Sequence, residues 1–141
     1  MVYCHLDRTQ AGVVIQEFVG VPSDADFLAF LADDAKRVHD DLKAHRRVAV
    51  CADFSKAETI SPQQRRLQAD WNTREADAVR STTVAMAFVV PTALIKGMLT
   101  AIFWLKPPNT EHAVFDTRAE ALAWLAERLR AAGVDPAAKP T

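Results

Sequence analysis

The residues whose types and spacing could carry chemistry begin directly after a short apolar stretch in the first half of the chain. Asp53 and Ser55 stand there, at the carboxyl end of a predicted strand, where α/β sheets usually bind their ligands. A carboxylate next to a hydroxyl offers hydrogen-bond acceptors and a donor, but without a further reactive group it is a polar turn. We predict a loop over 53–60; if the chain carries a small molecule, this loop is the candidate pocket together with Trp71 and Thr92.

Ser61 marks the start of a helix. Pro62 follows it and Gln64 stands three positions on, which is the spacing of a capping box with proline in the first turn. The hydroxyl of Ser61 is therefore predicted to accept a hydrogen bond from that turn. Phosphorylation is the alternative role, because a helix N-terminus tolerates a phosphate electrostatically. We favour the cap and keep Ser61 as a candidate phosphosite.

Metal-binding and catalytic motifs are absent from the sequence. Cys4 and Cys51 lie far apart and form no C-x-x-C pair, so we expect two reduced, buried thiols. The histidines show no ligand spacing. There is no nucleophile elbow, phosphate-binding loop or carboxylate-pair motif. We therefore predict no catalytic residues, no metal and no cofactor.

Length and composition are those of one ordinary globular domain. The chain has 141 residues, of which 50% are hydrophobic and 25% charged, and its net charge is -1. That balance lacks the basic excess of nucleic-acid-binding proteins. We predict a single domain over 1–133, followed by a flexible tail over 134–141. The first residues lack the pattern of a secretory signal, so the expected location is the cytoplasm.

The rest of the chain is arranged around the apolar run 84–105. Its length matches a membrane span of roughly 20 residues, so that interpretation has to be weighed first. Pro91 divides the run, and Lys96 would lie near the bilayer centre at a cost of roughly 2.5–3.5 kcal/mol. A strand buried on both faces, followed by a helix that begins near Pro91, carries no such cost. We predict the strand and the helix, and no membrane span.

The predicted helix 92–105 is apolar nearly all round. Its wide apolar face is expected to pack on the sheet and comprises Leu94, Ile95, Met98, Leu99, Ile102 and Phe103. The opposite side carries small residues, one tryptophan and one charge. Its candidate interface residues are Ala93, Lys96, Gly97, Ala101 and Trp104. Either another helix of the chain covers this side or it is a subunit interface, and we favour the interface, which predicts a homodimer.

The remaining elements complete an alternating pattern. A hairpin precedes a long first helix, and a short strand follows it. The second long helix contains Trp71, for which we favour a core position over a partly exposed contact. The last helix begins at a capping box of Thr117 and Glu120 and ends at Gly133. The predicted fold is α/β, with a mixed sheet of about five strands covered by four helices in the order ββαβαβαβα.

This order resembles that of the STAS domain (sulphate transporter and anti-sigma factor antagonist). The second half of the chain is similar to the SpoIIAA-like branch of that superfamily. The similar segments are the apolar strand, the apolar helix that ends in 103–105, and the stretch 114–117 leading into 120–125. The resemblance spans nearly the whole predicted domain, and only the second half carries specific residues.

The resemblance implies a non-catalytic regulatory or binding module. In some members of the family, phosphorylation of a serine at the start of the second long helix controls the module. Ser61 has that position here, and Asp53 and Ser55 match the family's Asp-x-Ser-like stretch at the end of the third strand. The family's Asp-Ser-Ser-Gly segment is replaced by Thr-Ile-Ser-Pro at 59–62.

Three functions are consistent with these observations. The first is a STAS-like module that works by contact with a protein partner or with a second copy of itself. The second is a carrier of a small or lipid-like molecule in the predicted pocket. The third, an enzyme, has the weakest support, because no catalytic motif accompanies it.

Overall fold

The computed structural model describes residues 3–108 and 110–134. The strands within these ranges are β1 (Cys4–Asp7), β2 (Val13–Gly20), β3 (Val48–Ala57), β4 (Thr83–Val89) and β5 (Glu111–Phe115). The helices are α1 (Asp24–Lys43), α2 (Pro62–Arg74), α3 (Ala76–Thr82), α4 (Ala93–Leu105) and α5 (Arg118–Ala131). The α/β class and the mixed sheet of five strands are as predicted.

The strands form one sheet in which spatial order equals sequence order. β1 pairs antiparallel with β2, whereas β2 to β5 are parallel to one another. Each connection between parallel strands therefore advances by one strand in the same direction. Because such crossovers are right-handed, the connecting helices must lie on the same face of the sheet. The helices α1 to α4 do so, and α5 covers the other face.

The two faces of the sheet carry different side chains. The face under α1 to α4, called here the aromatic face, packs large side chains that include Tyr3, Phe18, Phe27, Phe54, Trp71, Phe88 and Met98. The face under α5, called here the alanine face, packs smaller ones that include Ala49, Cys51, Ala85, Ala87, Ala121, Leu125 and Leu129. β4 lies between the two layers and contributes to both, as predicted for a strand covered on both faces.

The second half of the apolar run forms α4, with Pro91 just before its first turn. Among the residues that the structure describes, no helix has the length and hydrophobicity needed to cross a bilayer.

The predicted loop over 53–60 is shorter than expected. β3 continues to Ala57, because Lys56 and Ala57 pair with the last residues of β2. The pairing shifts register after Glu17, which is the mark of a β-bulge. The sequence did not predict this extension, because the segment is polar. It forms a strand because it pairs with β2 and not because it has apolar side chains.

The prediction of four helices was wrong by one. The second long helix is divided at Glu75, whose φ and ψ of -98° and 9° are not helical. The Glu75 carboxylate contacts Nε2 of His39 on α1 at 2.7 Å. With the chain redirected at this point, Trp71 before the break and Ala78 after it are both buried.

The end of α5 matches the prediction. Gly133 follows the last turn in the left-handed region, with a φ of 72°, and the N–H of Val134 donates to the Leu129 carbonyl at 2.9 Å. Val134 packs against the alanine face, so this residue does not belong to a loose tail. The rest of the predicted tail, 135–141, lies outside the described residues.

Candidate functional site

The orientation of α4 is fixed by its inner side and its first turn. The hydroxyl of Thr92 caps the helix by accepting a hydrogen bond from the N–H of Ile95 at 3.3 Å. The buried inner side consists of Ile95, Met98, Leu99 and Ile102. The remaining positions of the helix therefore face solvent or lie on its flanks.

The outer side of α4 is apolar and exposed. Trp104 is 86% exposed and Leu94 is 65% exposed. The prediction that Leu94 packs on the sheet was wrong, because the inner stripe is centred on Ile95 and turns its neighbour outward. All predicted interface residues lie on the outer side, with Ala101 half-buried and the other four exposed. We call this outer side the α4 surface; it comprises Ala93, Leu94, Lys96, Gly97, Thr100, Ala101, Trp104 and Leu105, and the hydroxyl of its one threonine donates to the Lys96 carbonyl.

Charge is nearly absent from the α4 surface. Lys96 is its one charged residue, and its ammonium group lies 3.4 Å from the Asp116 carboxylate. A Cβ added at Gly97 would meet nothing within 4 Å. A second body could therefore approach the backbone of α4 closely at Gly97 without displacing any described side chain of this chain.

A polar cluster lies at the carboxyl edge of the alanine face. Asp53 is 3% exposed, and its Oδ2 accepts a hydrogen bond from Nε of Arg118 at 2.7 Å. Its Oδ1 accepts hydrogen bonds from the N–H and the hydroxyl of Ser55, at 2.9 and 2.6 Å. Nη2 of Arg118 donates to Glu17 at 2.8 Å, and the Lys56 ammonium group donates to the same carboxylate at 3.4 Å. Arg118 thus ties the start of α5 to β2 and β3.

The protonation of the cluster follows from these contacts. Burial raises the pKa of Asp53, but hydrogen bonds from Ser55 and Arg118 outweigh it and leave the pKa below its usual value. The hydrogen bond from Arg118 is the main cause that lowers the pKa of Glu17. Both carboxylates are therefore ionised at neutral pH, and neither has the raised pKa expected of a general base or acid.

Sequence reasoning missed the role of Arg118, because it treated 117–120 only as a capping box. One signal was available. A cation in the first turn of a helix opposes the helix dipole, so Arg118 at the first position of α5 needs an acidic partner. The partner itself could not be identified, since Asp53 lies 65 positions away in the chain.

The structure does not bring the four residues of the predicted pocket together. Asp53 and Ser55 are bonded to each other on the alanine face. Trp71 is buried on the aromatic face, where its Nε1 donates to the Leu31 carbonyl at 2.9 Å. Thr92 is exposed and caps α4. The separation arises because successive side chains of β3 point to opposite faces of the sheet.

A cavity of about 100 Å³ lies inside the aromatic face, between the sheet and its covering helices. Its walls are mainly rings, thioethers and aliphatic groups, among them Phe18, Phe54, Ile60, Trp71 and Met98. Trp71 therefore has the core position that we favoured, and it borders this cavity. An apolar space of this size can hold a small apolar molecule.

The predicted capping box at α2 is confirmed. The Ser61 hydroxyl accepts a hydrogen bond from the N–H of Gln64 at 3.0 Å, and the Gln64 side chain accepts one from the N–H of Ser61 at 3.0 Å. Ser61 is exposed. A guanidinium group lies near it, because Nη1 of Arg65 donates to the Ile60 carbonyl at 3.1 Å.

Comparison with known proteins identifies the architecture. No protein-family model and no curated protein matches the chain. An uncharacterised protein of the DUF3478 family with a SpoIIAA-like fold, from Shewanella loihica PV-4, matches with a TM-score of 0.61 and 14% identity, covering 86% of this chain and 91% of its own. The anti-sigma factor antagonist SpoIIAA in its unphosphorylated form matches with a TM-score of 0.57 and 14% identity, covering 90% and 97%. The chain has the SpoIIAA-like fold.

The polar cluster of this SpoIIAA-like fold does not lie at a reversal of the strand order. Open α/β sheets bind ligands where the strand order reverses direction. No reversal occurs among the described strands, because their spatial order follows the sequence. The polar groups at the carboxyl edge attach α5 instead.

The cysteines of the SpoIIAA-like domain are unreactive by position. Both are free thiols, Cys51 buried and Cys4 half-buried. Burial raises the pKa of Cys4 to about 12 and that of Cys51 to about 11, so both are protonated at neutral pH. Within 3–108 and 110–134, the His, Cys, Asp and Glu side chains form no group of three that could hold a metal ion.

Proposed function

We propose that this chain is a non-catalytic binding module that acts through protein–protein contact, and that the α4 surface joins two copies in a homodimer. The exposed apolar outer side of α4 carries the proposal. Contiguous apolar exposure around a tryptophan is typical of the buried centre of an interface. The fold is consistent with such a role, since the SpoIIAA protein of the same fold is an anti-sigma factor antagonist.

A second copy is the expected occupant because the α4 surface is suited to itself. It carries almost no charge, so two identical surfaces do not repel each other. Ala93, Gly97 and Ala101 follow one another at four-residue intervals and form a shallow track along the helix. Trp104 follows Ala101 by three residues and lies beside the end of this track. From there its large ring can lie over the small residues of a second copy.

The non-catalytic part of the proposal is supported by the polar cluster. The Asp53 carboxylate accepts hydrogen bonds from Ser55 and Arg118. The Glu17 carboxylate accepts hydrogen bonds from Arg118 and Lys56. Their short contacts are directed at one another and hold α5 in place. A reactive site would instead require an acid or base with a perturbed pKa beside space for a substrate.

The homodimer is tested by the native mass of the protein as a function of concentration. Gly97→Glu should give a folded monomer, because the carboxylate would be buried in an apolar contact although it has open space in the single chain. Ala126→Glu adds the same charge at an exposed site of α5 and should leave the dimer unchanged. A wild-type monomer at every concentration, or a dimer that survives Gly97→Glu, would refute the proposal.

Gly97→Ala separates folding from association. In the isolated chain it should raise stability by roughly 0.5–1 kcal/mol, because glycine inside a helix is entropically unfavourable and the methyl group has open space. In a close helix contact the same methyl group should weaken the dimer. Greater thermal stability together with unaltered association would mean that no helix approaches Gly97.

A second candidate function, a carrier of a small apolar molecule, is supported by the cavity inside the aromatic face. The gently purified protein would then show a native mass above its denatured mass, with the excess lost on denaturation. Equal native and denatured masses, together with no retention of an added apolar probe such as benzene, would exclude this candidate.

Phosphorylation of Ser61 and a cytoplasmic location stay predictions. A phosphate at Ser61 would gain from the helix N-terminus and from the nearby Arg65 guanidinium. Added mass that persists on denaturation and disappears in Ser61→Ala would support the modification. If the Ser61→Ala variant still carries the added mass, the modification lies on another residue.

A further inference from the structure

The outer edge of β1 is unpaired within the described residues. β1 pairs on one side with β2, and the N–H of Val19 donates to the Tyr3 carbonyl at 2.9 Å. Backbone groups alternate in direction along a strand, so Cys4 and Leu6 direct their N–H and C=O groups away from β2. Such an edge is a template for a further strand.

A groove of about 540 Å³ runs between this edge and α1. The sheet side includes Tyr3, Cys4 and Leu6, whose side chains lie on the same face of the sheet as α1. Leu6 is 51% exposed and offers an apolar contact beside the open backbone edge. A segment that pairs with β1 would therefore direct every second side chain into the groove.

The groove has an excess of unpaired negative charge. Each of its cations is already held in an ion pair: Arg8 with Asp41 at 3.0 Å, Lys36 with Asp40 at 2.7 Å, and Arg37 with Asp34 at 3.0 Å. Asp26 and Asp33, on the α1 wall, make no salt bridge within 4 Å in the described part of the chain, although Lys36 is close enough for the Asp33 charge to raise its pKa. They lie seven residues apart, so both face the same side of the helix.

The inner end of the groove is formed by an aromatic side chain. Tyr3 is 5% exposed and lines the groove there. The ring is held among Phe18, Phe27 and Phe30, with centroids 5.1 to 5.9 Å away.

We propose that this groove binds an extended segment of a partner protein, which adds to β1 as a further strand and directs a basic side chain to Asp26 and Asp33. This mode of recognition uses main-chain hydrogen bonds for affinity and alternate side chains for specificity. A second copy of β1 fits less well, since Cys4–Asp7 contains no lysine or arginine. The groove lies at the β1 edge and α4 packs near β5, so this surface is separate from the α4 surface.

The probes are two synthetic peptides, one of alternating valine and lysine and one of alternating valine and glutamate. The lysine peptide should bind at least tenfold more tightly than the glutamate peptide, and it should shift the amide NMR signals of Cys4 and Leu6. The Asp26→Asn, Asp33→Asn double variant should weaken its binding roughly fivefold, as expected for exposed ion pairs. Absence of binding at about 1 mM peptide, or shifts confined to another surface, would overturn the proposal.

A matched pair of variants tests the backbone edge itself. Leu6→Pro removes an N–H that points away from β2, so the existing sheet should be retained while peptide binding falls more than tenfold. Leu6→Ala removes the side chain and keeps the N–H, and should lower binding less than Leu6→Pro does. Equal binding by the two variants would refute strand addition. If Leu6→Pro does not fold, the wild-type shifts at Cys4 and Leu6 decide. If the Cys4 and Leu6 signals shift with protein concentration in the absence of peptide, β1 pairs with a second copy of itself, and the proposal of a partner strand is also refuted.

Discussion

The two faces of the sheet are packed in different ways. On the alanine face, small side chains of β3 and β4 let α5 lie close, and Arg118 holds the start of that helix to two strands. On the aromatic face, large groups such as the stacked rings of Phe18 and Phe54, 4.6 Å apart, surround a cavity of about 100 Å³. The side chains of one face are mostly small and lie under a single helix, whereas those of the other are mostly large and surround a cavity.

This difference indicates where the molecule can respond to a partner. Closely packed interiors transmit strain and do not adapt to added volume. A layer that contains a cavity can take up added volume with less displacement. The α4 surface and the β1 groove both belong to the aromatic side, so we expect binding to act there and the alanine face to serve as a rigid support.

The largest effect is expected for Trp71→Ala. This change enlarges the cavity and removes the hydrogen bond from Nε1 to the Leu31 carbonyl, which joins α2 to α1. Stability in urea unfolding should fall by roughly 3–5 kcal/mol. Trp71→Phe, which keeps a ring and loses only the donor, should cost less. A loss below about 1 kcal/mol for Trp71→Ala would mean that the aromatic side does not depend on this contact.

A matched pair on β3 compares the two faces directly. Ala49→Val adds two methyl groups on the alanine face, where Ala49 is fully buried, and should cost roughly 1–3 kcal/mol. Ala52→Val adds the same groups beside the cavity and should be neutral or stabilising. The gain in strand propensity is similar at both positions and cancels. Equal changes in unfolding free energy would break the comparison.

Arg118→Met should cost about 1–2 kcal/mol at neutral pH, because it leaves the buried Asp53 carboxylate without its cation. The pKa values of Asp53 and Glu17 are lower in the folded chain than in the unfolded one. Their contribution is therefore present above about pH 4 and is lost as pH falls through the folded values. The difference in unfolding free energy between the wild type and Arg118→Met should therefore become smaller in acid. A constant difference between about pH 3 and 7 would contradict this assignment, and Arg118→Lys is the control that keeps the charge.

The smallest effect concerns α2, on the aromatic side. Ser61→Ala removes the cap and should cost about 1 kcal/mol, whereas Ser61→Asp keeps an acceptor and should be nearly neutral. Circular dichroism and urea unfolding measure both variants. Equal losses would show that the hydroxyl of Ser61 matters for something other than capping.

The parts of the fold that sequence could predict are those set by local rules. The strand and helix on either side of Pro91, the caps at Ser61 and Thr117 and the turn at Gly133 all follow from residues close together in the chain. Most of the α4 surface could also be predicted from helical spacing, but Leu94 was assigned to the wrong side, because spacing alone does not fix where the edge of a wide apolar face lies.

The predictions that were wrong concern features that depend on contacts between distant segments of the chain. The polar end of β3 is a strand because β2 pairs with it, and the second long helix is broken at Glu75, where His39 of α1 contacts it. The predicted pocket combined residues from opposite faces, because strand alternation was not applied to Asp53. The position of Arg118 in the first turn of α5 indicates that it needs an acidic partner, but nothing nearby in the sequence identifies Asp53 as that partner.

The agreement of spatial and sequence order in the sheet has a consequence for folding. Every strand pairs with the one made just before it, so the sheet can grow one strand at a time while the chain is being synthesised. Contacts between nearby segments also favour rapid folding. The Arg118 bonds are different, since they span 65 and 101 positions. We expect them to form last, when α5 emerges and closes a face of the sheet that has until then been open to water.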